Sequence, residues 1–335
     1  MRIRPRSTHA PTPSAAAGRP RHAFAALAIV AGLAAAGLAV PSSASAASGT
    51  PAASAADATA GASVVVPASV DRAAAAAHWT PAARAAALAA DAPTVAGSGA
   101  ASASASATLS ASGDASAAAA PVPHPDQPFV GVLFFASGGR DHACTASVVA
   151  TPAGDAIATA AHCLVDRRTG SATTLATFIP GAQGATAPHG IWPVRVAAVS
   201  SSWTATGRAS DDAGFARVSG PAGEVLAASV GAAEPVFGSA LVPATGEAPR
   251  LAILGYPAAG SASASLVACA GRPRHDAGGQ TSLPCALGTG AAGSSVITAA
   301  GEQRSVVARP SAGRGVLLAT WGADAQRALS SLQGR

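Results

Sequence analysis

From Phe129 to Thr320 the chain is written in short apolar runs punctuated by Gly, Pro and polar turn residues. Phe129–Phe135 comes first, closed by Ser137-Gly138-Gly139, and Ala146–Ala150 and Ile157–Ala160 follow on either side of a Pro152–Asp155 turn. Val194–Val199, Ala213–Val218, Leu251–Leu254, Leu266–Ala268, Val296–Thr298, Ser305–Arg309 and Val316–Thr320 complete the series. Runs of this length, with no long helical period between them, predict an all-β barrel or sandwich. The period changes at Asp324–Leu332, where Ala325, Ala328, Leu329 and Leu332 fall on one face and predict a C-terminal helix.

Upstream the texture differs. A basic stretch ending at Arg21 precedes an apolar run, Ala23–Val40, and then Ala44-Ser45-Ala46. That order is the pattern of a secretory signal peptide over residues 1–46. An uncleaved anchor is the competing reading, but the run is mostly Ala and Gly, so no stable membrane insertion is expected after cleavage, and the protein is expected to be secreted. Residues 47–128 are dominated by Ala, Ser, Thr and Pro and read as a low-complexity pro-region or linker, too poor in large apolar side chains to offset the entropy of ordering them. Within it Asp71–Ala90 is helix-prone, interrupted at His78-Trp79-Thr80-Pro81, where Thr80 and Pro81 form an N-cap and first-turn signal. The folded domain is expected over 129–335, as two halves at about 129–225 and 226–322 followed by the helix at about 324–332.

Charge changes this picture only by exclusion. The formal net charge is +5, yet Arg2, Arg4, Arg6, Arg19 and Arg21 all precede the cleavage pattern, and without them sixteen basic residues face sixteen acidic ones. A near-neutral mature chain gives no basis for binding nucleic acid. Export does matter for the four cysteines, Cys144, Cys163, Cys269 and Cys285, because disulfides survive outside the cell. Of the three possible pairings the spacing favours Cys144–Cys163 and Cys269–Cys285. A zinc site would need closer ligand spacing than these cysteines have, and no metal site, phosphate loop or cofactor fingerprint is found.

The densest chemical signal is Cys144-Thr145-Ala146-Ser147-Val148-Val149 followed by Thr159-Ala160-Ala161-His162-Cys163. In this stretch the chain resembles the trypsin/chymotrypsin family of serine proteases, especially its small secreted bacterial members. The resemblance implies a chymotrypsin-like double antiparallel β-barrel, with His162 as general base and Cys163 bridged back to Cys144. A general base must be held rigidly, and a disulfide beside it does that. The family's orienting carboxylate falls on Asp212, in Asp212-Ala213-Gly214-Phe215; Asp211 could take that place only if the register slipped by one, turning Phe215 off the core. In the family's Gly-x-Ser-Gly pattern, Gly290-Ala291-Ala292-Gly293 is the match, so Ala292 stands in the nucleophile position, with the N–H groups of Gly290 and Ala292 as the implied oxyanion hole. A methyl group has no lone pair with which to attack a carbonyl. Ser294 is the possible substitute nucleophile.

Thr320-Trp321-Gly322 resembles the strand that lines the family's substrate cleft, and Ala286 offers no acidic pocket base for Arg or Lys. The resemblance therefore implies a secreted protease homologue that keeps a cleft for polypeptide but is catalytically impaired. Two other readings stay open: a working serine endopeptidase that hydrolyses peptide bonds through Ser294 or a restored Ser at 292, and a cell-surface spacer protein.

Overall fold

A computed structural model describes residues 63–68, 70–90, 118–125, 127–184, 186–221, 223–257, 265–276, 278–311 and 315–333, all within one compact unit, Ser54–Arg335. Residues 1–46, read as a signal peptide, lie outside the described residues. Among the described residues no helix is long and apolar enough to cross a membrane.

The first strand, β1 (Val64–Pro67), and two helices, α1 (Arg72–His78) and α2 (Pro81–Ala90), precede the expected domain. The helices form where the sequence supplies caps. The Asp71 carboxylate accepts from Ala74 N–H at 2.9 Å, and Thr80 Oγ1 accepts from Ala83 N–H at 3.2 Å, with Pro81 at the position where a missing N–H costs nothing. Between them Trp79 is buried against Phe134, ring centroids 5.4 Å apart, and its Nε1–H donates to the Leu175 carbonyl at 2.7 Å. The Arg84 guanidinium donates to the Trp79 carbonyl at 2.7 Å, and its burial pushes its pKa down. His78 Nε2 lies 3.0 Å from the Asp141 carboxylate.

Six strands then close the first barrel: β2 (Val130–Ser137), β3 (Arg140–Val149), β4 (Ala156–Ala160), β5 (Thr174–Pro180), β6 (Trp192–Val199) and β7 (Ala213–Val218). The order is β6–β7–β4–β3–β2–β5, with β5 returning to pair with Trp192 and Pro193 of β6. Strand β1 pairs antiparallel with the other end of β6, Val64 opposite Val199 and Pro67 opposite Val196. Described elements of the compact unit therefore lie ahead of Phe129, within the stretch read as pro-region or linker. The reason is physical: Trp79 and Leu88 of that stretch are buried in one apolar cluster with Val130, Val132, Phe134 and Ile179 of the barrel.

The second half is a curled half-barrel sheet whose longer strands are β8 (Leu251–Gly255), β9 (Val267–Gly271), β10 (Thr281–Leu283), β11 (Ser295–Ile297), β12 (Glu302–Ser311) and β13 (Gly315–Thr320), in the order β10–β13–β12–β11–β8–β9, with two-residue strands at Val122–Pro123, Glu234–Pro235 and Arg274–His275 added to it. Both disulfides form as the spacing favoured, Cys144–Cys163 in the first half and Cys269–Cys285 in the second. The C-terminal helix α3 (Ala323–Ser330) buries Ala325, Ala328 and Leu329, with Leu332 just beyond it, in a cluster shared with Phe215 and Trp321. The short apolar runs and the helical face of the sequence are therefore both realised.

Candidate active site

Strand β4 ends in a 3-10 turn, Ala161–Cys163, that carries His162. Two ties hold the turn. Cys163 is bonded to Cys144 on β3, and Ala161 N–H donates to the Asp212 carbonyl at 3.2 Å. Asp212 follows a second 3-10 turn, Ala209–Asp211, directly before β7. Its buried carboxylate accepts from His162 twice: Oδ2 lies 2.7 Å from Nδ1 and Oδ1 lies 3.0 Å from the backbone N–H. Such a bidentate arrangement fixes both the ring's orientation and which nitrogen carries the proton. Gly214 permits the approach, because a Cβ there would lie 2.9 Å from Ala161 Cα. Asp211 is engaged elsewhere, accepting from the hydroxyls of Thr206 at 3.1 Å and Ser210 at 3.2 Å.

The facing loop, 288–294, is stapled to both halves. Thr145 on β3 donates its N–H to Ala292 O at 2.8 Å and its hydroxyl to Gly290 O at 3.2 Å. On the other side Gly293 N–H donates to Val307 O at 2.7 Å and Val307 N–H to Ser294 O at 2.9 Å. Gly290 and Gly293 take φ of +79° and +81°, a conformation that favours glycine, and a Cβ on Gly293 would come within 2.0 Å of Thr145 O. Held this way, the Ala292 methyl lines a small open groove together with His162, Thr289 and Gly290. Among the described residues the N–H groups of Gly290 and Ala292 have no acceptor.

Ser294 points elsewhere. It is 0% exposed, its Oγ has no hydrogen-bond partner among the described residues, and it abuts Gly255 on β8 rather than the groove. His162 and the sulfurs of Cys144 and Cys163 also cluster closely, but sulfurs bonded to each other offer no thiolate to a metal.

No family model matches the chain, and no curated protein sequence matches it significantly. Solved structures do. The protease Anisep from Arthrobacter nicotinovorans superposes with a TM-score of 0.57 at 23% identity, over 64% of this chain and 99% of that one. A thermostable serine protease, AL20, from an extremophilic microorganism gives 0.56 at 24% identity over 62% of this chain and 98% of its own. A Glu endopeptidase gives 0.52 at 16% identity over 66% and 99%. The chain has the chymotrypsin-like fold.

Within the chymotrypsin-like fold one sequence expectation needs correcting. Thr320, Trp321 and Gly322 do not line the groove that holds His162 and Ala292. Trp321 is buried, stacked on Phe237 at 5.3 Å and packed on Phe215 at 5.3 Å, while Thr320 and Gly322 border a separate shallow pocket beside Asp211. The groove wall is instead Ala308-Arg309-Pro310 of β12. The cause is the register of the β12–β13 hairpin. Val307 of β12 bonds the loop carrying Ala292, so the next residues of β12 pass the groove and β13 lies one strand further away. Sequence reasoning missed this wall because Arg309-Pro310 lacks the expected Trp-Gly, whereas the adjacent strand ends in one.

Proposed function

We propose that this protein is a secreted, catalytically silent serine protease homologue that holds polypeptide in the groove between His162 and Ala292. One observation carries the reading: at the position where the family's nucleophile is expected, the side chain lining the groove with His162 is the Ala292 methyl, and the nearest hydroxyl downstream, that of Ser294, is sealed against Gly255. Acyl transfer in this arrangement needs an oxygen nucleophile beside the imidazole, with oxyanion donors already in place. The His162–Asp212 pair and the N–H groups of Gly290 and Ala292, acceptor-free among the described residues, support that chemistry, and a methyl group at 292 does not. Moving Ser294 into place would break the bonds through which Val307 and Thr145 hold the loop. Two disulfides, and similarity of fold to serine proteases, support export.

The test is a fluorophosphonate probe applied to the full chain, with the modified residue mapped by mass spectrometry. The protein is expected to remain unlabelled and to leave casein intact. Labelling at Ser294, with casein cleaved, would overturn the proposal and identify a working endopeptidase.

A further inference from the structure

The groove wall departs from what an extended peptide needs for pairing along a strand. Pro310 stands in β12 opposite Val316 of β13. Proline has no N–H to donate, and Pro310 lines the groove, so β12 offers an extended peptide no main-chain donor at that position. Strand addition takes much of its affinity from main-chain hydrogen bonds, and β12 lacks one there. A second feature stands beside it. Arg309 is exposed at the groove, and no carboxylate among the described residues pairs with it. Among the described residues the other titratable side chains lining the groove are His142, stacked on Phe135 with ring centroids 5.4 Å apart, and His162, and none is acidic. Asp212 lies behind His162 and is already committed to it, and Asp141 is paired with His78.

From this we infer that the groove selects polypeptide segments carrying an acidic side chain, with Arg309 as the specificity-determining residue. The guanidinium supplies a charged fork in place of the main-chain donor that Pro310 withholds, and a carboxylate matches that fork in geometry and charge. The inference rests on the reading of the groove as a polypeptide site.

Three fluorescein-labelled hexapeptides, identical except for Glu, Gln or Lys at the third position, separate the two claims by fluorescence anisotropy on the full chain. The Glu peptide is expected to bind about five- to tenfold more tightly than the Gln peptide, and the Lys peptide most weakly, with the preference shrinking as salt rises. Arg309→Met should bring the three within about twofold of one another, and Arg309→Glu should reverse the order. Reversal is a result that a purely structural role for Arg309 would not produce. Equal binding of all three peptides by the native protein overturns the inference and leaves the polypeptide site standing. Binding of none of them overturns both.

Discussion

The Ser294 hydroxyl fills the space that a side chain on Gly255 would require: a Cβ at 255 would lie 1.8 Å from Ser294 Oγ and 2.7 Å from its Cβ. The two residues are therefore coupled, on β8 and on the loop that carries Ala292. Gly255→Ala is expected to destabilise the protein by about 1–3 kcal/mol through overpacking. Ser294→Ala, which removes a buried hydroxyl with no partner, should be neutral or stabilising by up to about 1 kcal/mol. In the double variant the cost of Gly255→Ala should fall by about 0.5 kcal/mol or more, measured by urea unfolding. Strict additivity would place the Ser294 side chain elsewhere.

Trp79 tests whether the segment before Phe129 is part of the fold. Its ring is buried against Phe134 and its indole N–H is satisfied by Leu175. Trp79→Ala should cost about 3–5 kcal/mol, visible as a large drop in the thermal midpoint of the whole unit. A midpoint unchanged from the native protein would mean that the segment docks without contributing.

The second disulfide closes a short loop, with a sequence separation of 16 between Cys269 and Cys285. Replacing both with Ala is expected to cost about 3 kcal/mol, mostly through the greater freedom of the unfolded chain. Calorimetry under non-reducing conditions checks this, and a cost below about 0.5 kcal/mol would contradict it.

Much of this arrangement is legible in the sequence because it rests on covalent or local constraints. Thr159-Ala160-Ala161-His162-Cys163 places a strand end, a tight turn and a disulfide partner within five residues, and these are the ties that hold His162 in place. The face of α3 follows from its period, and Thr80-Pro81 marks the start of α2. Less legible were the features decided by tertiary pairing. Strand β1 is a three-valine run in an Ala/Ser background and earns its place only by meeting the free half of the β6 edge. Thr174–Pro180 alternates too weakly to stand out, yet it closes the first barrel. The groove wall at Arg309-Pro310 depends on hairpin register, which the composition of neither strand specifies.

Asp212 provides a test of the site's latent geometry. In an Ala292→Ser background, Asp212→Asn should lower kcat by about 10⁴, because the amide would favour the wrong imidazole tautomer. A loss of less than tenfold would mean that the 2.7 Å contact between His162 and Asp212 does not orient the base.

The most direct measurement is peptide-bond hydrolysis by the Ala292→Ser variant beside the native protein, under identical conditions and at equal concentration. An otherwise complete cleft lacking only its oxygen predicts no turnover by the native chain and measurable turnover by the variant, a gain of up to about 10⁶ in kcat. Native protein that already hydrolyses peptide as fast as the variant would contradict the account.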